Sequence, residues 1–260
     1  AGEVADFIAV ELGLPRGVKV IVGGHDQCCT ALGAGVIREG IAVYGIGTFI
    51  CITPAYKNIP DARKMIPGKF NVEHHIVPGL YVSFLYNLTG GAALKWFRDE
   101  ITPAEKRAAE LRGEDVYDKL LAELPAEPTD LLVLPHFAPP GPPWFDAKSK
   151  GVILGLTLET TRAQLLKALL EGVTYYFREG IDILAQAGIA INEFRATGGG
   201  AKSVPWLQIK ADILGKPIVK LKISEAGTLG TIILAGVSTG IYASFNDAVT
   251  ALVKTDKVIE

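Results

Sequence analysis

The chain has 260 residues, of which 49% are hydrophobic and 21% charged, so it has the composition of a globular protein and can bury a sizeable core. Its formal net charge is -2. Charges of both signs are interspersed, which leaves no basic stripe for nucleic acid and no polybasic segment for anionic lipid. Its apolar runs are shorter than the roughly 20 residues that a membrane-spanning helix needs. Nucleic acid and membranes are therefore not expected as partners.

The three cysteines are odd in number, and the adjacent Cys28 and Cys29 cannot readily bridge each other. The first residues show no signal-peptide pattern. Both observations predict a cytoplasmic protein with reduced thiols. Because the chain begins at Ala1 and its single methionine is Met65, we expect it to be part of a longer protein.

Strands followed by glycine-rich turns dominate the first hundred residues. Runs of β-branched and apolar residues predict the strands, and glycine pairs predict tight connections between them. The predicted elements are a strand at 18–22, a helix at 27–36, a hairpin formed by 41–44 and 49–53, a strand at 80–85 and a short helix from 90 to 96.

Two longer helices carry capping signals. Thr102, followed by a proline, predicts a surface helix over 103–124. Thr161 with Gln164 predicts a capping box ahead of a core helix over 162–187. The other predicted elements are a buried strand at 131–134, strands at 194–197 and 218–223, a helix ending at 214 and a glycine- and alanine-rich helix at 227–237. Alternating strands and helices indicate an α/β layered domain.

Three glycine-rich turns each follow a predicted strand, at 45–48, 90–91 and 198–200. Such turns can present backbone N–H groups to phosphate oxygens, although any one of them is better explained as a tight connection. Three in one α/β chain favour a nucleotide. None of the three matches a P-loop or a dinucleotide-binding fingerprint, which leaves an actin-like nucleotide site.

Asp26 follows a glycine turn that leaves a strand, where a carboxylate can project toward a substrate hydroxyl as a general base. The alternative is that Asp26 caps the helix that starts near Gln27. His25 is a second candidate base.

Several segments, taken in order, resemble the signatures of the FGGY family of carbohydrate kinases. The residues GHDQ at 24–27 and the pair Gly47 and Thr48 match the glycine-x-aspartate-glutamine and glycine-threonine pairs of that family. The stretch 151–171 is similar to its second signature. The blocks similar to those that follow in the family are TGGGAKS at 197–203, WLQ at 206–208, ADILG at 211–215 and GTLG at 227–230.

The resemblance implies a ribonuclease-H-like fold of the actin and hexokinase type, an α/β domain whose mixed sheet is flanked by helices. It implies ATP-dependent phosphorylation of a hydroxyl on a small sugar or polyol, with ATP and Mg²⁺ as cofactors. Asp26 matches the catalytic base, Asp26 and Gln27 match substrate-binding residues, and no metal ligand is expected in this chain. The positions that match ATP contacts are Gly47, Thr48, Gly91, Lys95, Gly199, Gly200 and Ser203.

The resemblance also predicts how the chain is divided. Residues 1–38 match the last part of the family's N-terminal domain, which carries the catalytic aspartate, and residues 39–260 match its C-terminal, nucleotide-binding domain. The rest of the N-terminal domain, with most of the sugar contacts and the metal ligands, is expected as a partner within the same protein, and a homodimer is a candidate assembly. We therefore expect the chain alone to fold, to bind ATP weakly at best and to phosphorylate no sugar. The alternative function is an actin- or chaperone-like ATP switch or a silent nucleotide-binding module.

Overall fold

A computed structural model describes residues 2–260, in which strands and helices alternate along the chain. The strands are β1 (Gly2–Glu3), β2 (Lys19–Val20), β3 (Gly40–Ile46), β4 (Ile50–Tyr56), β5 (Glu73–His74), β6 (Tyr81–Val82), β7 (Leu85–Asn87), β8 (Leu132–Leu134), β9 (Val152–Leu154), β10 (Ile191–Thr197), β11 (Ile218–Leu221) and β12 (Thr255–Ile259). The helices are α1 (Asp6–Glu11), α2 (Asp26–Gly33), α3 (Ala62–Met65), α4 (Gly90–Trp96), α5 (Pro103–Arg112), α6 (Val116–Ala122), α7 (Arg162–Gln186), α8 (Val204–Leu214), α9 (Ala226–Ser238) and α10 (Phe245–Leu252).

Eight strands form one mixed sheet. Its order is β12-β11-β10-β3-β4-β6-β5, with β7 also paired to β4. The strands β3, β10 and β11 run parallel to one another, and the neighbours on either side of them are antiparallel. The other four strands form two separate ribbons, β1 with β2 and β8 with β9.

Side chains of β3 alternate between two hydrophobic cores, because successive strand residues point to opposite faces. Ala42 and Tyr44 belong to the core that also holds residues of α7 and α8. Ile41 and Val43 belong to the core that holds residues of α2 and the first residue of α9. The sheet is therefore covered by helices on both faces, as the sequence predicts.

The long helix α7 is the main element of the first layer. Thr161 and Gln164 form the predicted capping box at its start. Its buried Phe177 packs edge-on against Tyr44 of the sheet, with ring centroids 5.6 Å apart. The predicted core helix over 162–187 is confirmed to within one residue. Neither α7 nor any other helix in residues 2–260 is both long and apolar enough to cross a membrane.

On the opposite layer, α2 and α9 cross with their backbones in direct contact. A Cβ atom at Gly230 would overlap the carbonyl oxygen of Cys29, and one at Gly33 would overlap that of Ala226. Only glycine permits this separation, so the glycine residues of α2 and α9 allow the two backbones to approach closely. Arg195 of β10 anchors the end of α2, because its guanidinium donates to the carbonyl oxygens of Ala34 and Gly35, both at 3.0 Å.

The predicted surface helix over 103–124 is wrong as a single element. It ends at Arg112, where Gly113 adopts a left-handed φ of 67° and terminates α5. Asp115 then caps a second helix, α6, by accepting a hydrogen bond from the Tyr117 N–H at 2.9 Å. A left-handed glycine followed by an aspartate is a typical stop and start signal.

The prediction of a buried strand at 131–134 is also wrong. The strand β8 is present, but the side chains of Leu132 and Leu134 are exposed. The reason is topological, since β8 pairs only with β9 outside the main sheet. Just one of its faces is covered, where Gly172 of α7 lies against Val133.

Two strand predictions differ in extent. Only Lys19–Val20 of the predicted strand at 18–22 is extended and paired. The predicted strand at 80–85 is divided into β6 and β7, which pair with different parts of β4.

We predict that Gly230→Ala lowers the free energy of unfolding by about 1–3 kcal/mol, the usual cost of overpacking a close-packed core. The added methyl group would force α2 and α9 apart at Cys29. Chemical denaturation measures the effect. The matched control is Thr228→Ala, an exposed position on the same helix, which should change stability little. Equal stability of Gly230→Ala and wild type would contradict the backbone contact.

Candidate functional site

All seven positions predicted to contact ATP line one cavity of about 540 Å³. It lies at the carboxyl edge of the parallel strands, beyond the ends of β3 and β10. Ligands of open α/β sheets bind in this crevice. We name residues 47–49, which follow β3, the hairpin turn, and residues 198–203, which follow β10, the glycine turn. The two turns lie side by side because Gly45 pairs with Thr197 in parallel register.

The hairpin turn is held by the start of α4. The Gly91 N–H donates to the Gly47 carbonyl oxygen at 3.1 Å, and the Ala92 N–H donates to that of Thr48 at 3.0 Å. N–H groups in the first turn of a helix have no acceptor within the helix. The carbonyl oxygens of the hairpin turn accept these hydrogen bonds and so cap α4. A Cβ atom at Gly91 would overlap the Gly47 carbonyl oxygen. Gly91 therefore lines the cavity and also allows the helix to reach the turn.

The glycine turn packs against the end of β3 and the start of α8. Gly198 has a φ of 90°, and a Cβ at Gly200 would come within 2.7 Å of the Trp206 ring. Ser203 caps α8 by accepting a hydrogen bond from the Trp206 N–H at 3.2 Å. Gly199 is exposed, with no atom within 4 Å of where its Cβ would lie. Its backbone is thus open to a ligand in the cavity.

Sequence reasoning missed one whole wall of the cavity. This wall is formed by α6, which was expected to be part of a solvated surface helix. The stop signal at Gly113 could have revealed the break, but nothing in the sequence placed α6 beside the glycine turn. The additional residues that line the cavity are Leu94, Asp115, Tyr117, Asp118, Leu121, Lys202 and Trp206.

The chemistry of the lining suits a nucleotide. Leu94, Leu121 and Trp206, which are themselves buried, make part of the lining apolar, as in most small-molecule pockets. Lys95 and Lys202 add two exposed ammonium groups, which can pair with phosphate oxygens. Apolar surface, cations and open glycine backbone therefore occur together in one cleft.

Asp26 does not line this cavity, although its side chain is 81% exposed. It is the first residue of α2, and its carboxylate accepts a hydrogen bond from the Gln27 N–H at 2.7 Å. The His25 Nδ1 accepts from the same N–H at 3.2 Å, so His25 is the N-cap residue. The His25 ring stacks on Phe84, with centroids 4.8 Å apart. Capping by His25 leaves Asp26 facing solvent.

The helix α2, which begins at Asp26, packs against β3 and β4. Burial raises the pKa of the Cys51 thiol, and the Asp26 carboxylate adds a smaller increase through its charge. Cys51 is the second residue of β4, two residues beyond the hairpin turn, and it pairs with Gly45.

Within residues 2–260 there is no group of three or more histidine, cysteine, aspartate or glutamate side chains that could hold a metal ion. Magnesium at phosphoryl-transfer sites is usually bound by substrate phosphates with one or two carboxylates.

Comparison with known proteins gives concordant matches. The C-terminal domain of the FGGY family of carbohydrate kinases matches residues 41–239. A xylulose kinase of Staphylococcus epidermidis is 32% identical over the whole chain, which covers 50% of that protein. A glycerol kinase of Saccharolobus islandicus is 31% identical over 219 residues, or 81% of this chain and 40% of that protein.

The crystal structure of a xylulose kinase from Rhodospirillum rubrum superposes with a TM-score of 0.83 at 33% identity. The match covers 99% of this chain and 50% of that one, so the chain spans about half the length of the relatives it matches. The predicted actin- and hexokinase-type fold is confirmed. The chain belongs to the FGGY family of carbohydrate kinases, whose C-terminal domain it contains at residues 41–239.

Proposed function

We propose that the protein catalyses ATP-dependent phosphorylation of a hydroxyl group on a small sugar or polyol. The observation that carries this proposal is the convergence of all seven predicted nucleotide positions, from the hairpin turn, α4 and the glycine turn, on one cavity. Xylulose and glycerol kinases among the relatives support the substrate class.

In this proposal the terminal phosphates of ATP lie at the hairpin turn and adenosine lies at the glycine turn. The exposed Thr48 and the backbone amides of the hairpin turn stabilise charge on the transferring phosphoryl group. Lys95 contributes a positive charge from α4, and Gly199, Gly200 and Ser203 contact adenosine. Asp26 accepts the proton of the attacking hydroxyl as general base, and Gln27 helps to bind the sugar.

We further propose that magnesium would be supplied with ATP and held mostly by the phosphates. The metal neutralises charge on the phosphates when bound. The remaining ligands would come from the family's N-terminal domain.

We propose the predicted division of the protein for the complete enzyme. Residues 39–260 form the nucleotide-binding domain, and residues 1–38 contribute Asp26 at its boundary. An N-terminal domain of the kind found in the relatives supplies most of the sugar contacts. Closure of both domains aligns the reacting oxygens and excludes water. The free thiols of Cys28, Cys29 and Cys51 suit the reducing cytoplasm that we propose as its location.

We expect Asp26→Asn in the full-length protein to lower the rate of sugar phosphorylation by about 10²–10⁴-fold, the usual contribution of a general base. The affinity for ATP should stay nearly unchanged, because Asp26 lies outside the cavity. A coupled assay of ADP release, with a panel of pentuloses, hexuloses, glycerol and erythritol, measures the rate.

The matched control is Asp6→Asn, an exposed carboxylate in the first turn of α1, which should retain activity. Wild-type turnover in the Asp26 variant would remove Asp26 from its proposed role. ADP release that does not depend on any sugar, or no release with any of them, would favour the ATP switch or the silent nucleotide-binding module.

We also expect Gly91→Ala to weaken ATP binding by roughly tenfold, which corresponds to a loss of about 1.4 kcal/mol of binding free energy. The new methyl group would displace the Gly47 carbonyl from the start of α4. Isothermal titration calorimetry measures the dissociation constant. Gly45→Ala is the control, since its Cβ would lie 3.6 Å from the nearest atom in ordinary contact. Equal affinities of Gly91→Ala and Gly45→Ala for ATP would exclude a role of the hairpin turn in ATP binding.

A further inference from the structure

Lys210 of α8 is completely buried, which is rare for a lysine. Its Nζ lies 3.0 Å from the hydroxyl oxygen of Tyr44. The same atom lies 4.6 Å from the centroid of the Tyr44 ring and 4.8 Å from that of the Trp206 ring. None of the ion pairs between residues 2 and 260 that have N···O distances of 4.0 Å or less includes Lys210. The cation is thus held by two aromatic rings and one hydroxyl.

The two rings belong to opposite sides of the proposed nucleotide site. Trp206 lines the cavity and supports Gly200 of the glycine turn. Tyr44 lies on β3, three residues before Gly47 of the hairpin turn. Lys210 therefore contacts both Tyr44, on the strand that leads to the hairpin turn, and Trp206, which packs against the glycine turn.

We propose that Lys210 is a positioning residue for nucleotide binding, whose buried ammonium group holds the rings of Trp206 and Tyr44 and thereby sets the spacing of the two turns. This inference rests on the proposed function, because it assumes that the cavity binds a nucleotide. An ammonium attracts the faces of aromatic rings, and a neutral amine does not. The protonated form of Lys210 is therefore the form that keeps the two rings, and with them the two turns, in place.

Because Lys210 is buried, its contact with the two rings depends on pH. Burial lowers the pKa of Lys210 to about 7, and it is the only cause of the shift. The one titratable group that faces Nζ among the described contacts is the Tyr44 hydroxyl of β3, whose pKa burial raises. Among residues 2–260, no charged side chain of α6, α7, β12 or residues 199–202, which pack against α8, contributes to the shift.

Affinity and stability should consequently respond to pH in opposite directions. Nucleotide affinity falls as pH rises through about 7, because the protonated lysine binds better. Stability rises with pH from about 7 toward the ordinary lysine pKa of 10.5, because in that window the unfolded chain binds a proton that the folded protein does not. A residue with only a structural role would not change affinity and stability in opposite directions with pH.

The test compares wild type and Lys210→Met in the full-length protein, with ADP as the probe, by calorimetry at pH 6 and pH 8. Methionine fills a similar volume without charge. We expect the variant to bind ADP about tenfold more weakly at pH 6, equivalent to about 1.4 kcal/mol. The difference should shrink at pH 8. The phosphates of ADP titrate near pH 6 themselves, and comparison at the same pH cancels this effect.

Thermal unfolding at pH 6 and pH 9 gives the second readout. Lys210→Met should unfold at a temperature at least as high as that of wild type. The difference should be larger at pH 6, because the buried ammonium of Lys210 destabilises wild type most at that pH. Lys216→Met, at an exposed lysine just beyond α8, is the matched control and should leave both readouts unchanged. Equal ADP affinity of wild type and Lys210→Met at pH 6 would overturn this inference and leave the proposed function intact. No ADP binding by wild type would overturn both.

Discussion

The parallel pairing of β3 with β10 is the constraint on which the candidate site depends. Its register places Gly45 opposite Thr197, so both strands end at the same edge of the sheet. The turns that follow must then lie side by side. Neither turn forms a cleft alone, since each contributes one wall and α6 adds a third. A shift of this register would separate the turns and also exchange the faces of β3, which are buried in different cores.

Backbone contacts, rather than side-chain packing, fix the segments around the site. The hairpin turn meets α4 at Gly91, and α2 meets α9 at Gly33 and Gly230. Such contacts leave little room for sliding, because carbonyl oxygens fill the space that a Cβ would need. Arg195 adds hydrogen bonds from β10 to the end of α2. The helix that carries Asp26 is consequently tied to the same strand that leads into the glycine turn.

Local signals in the sequence were sufficient for most elements near the site. Capping residues located α7, and alternating apolar runs located the hairpin of β3 and β4. The break at Gly113 had a local signal as well, but its consequence, a helix forming a cavity wall, depends on packing between distant segments. The exposure of β8 depends on which strand it pairs with, and Lys210 lies at a position where helix periodicity alone gives no warning of a buried charge. Family resemblance groups the seven positions proposed to contact ATP, whereas their convergence on one cavity depends on packing between distant segments.

The chain divides the requirements of the proposed reaction unequally. The walls of the proposed nucleotide cavity all come from within residues 47–206. Asp26, in contrast, is exposed and engaged only through the Gln27 N–H and its neighbour His25. A carboxylate in water is well solvated and is a weak base, and removal of water strengthens every electrostatic interaction at the reacting atoms. In the proposed mechanism this domain supplies the nucleotide-binding cavity, and phosphoryl transfer would require a second surface that covers Asp26 and brings a hydroxyl to it.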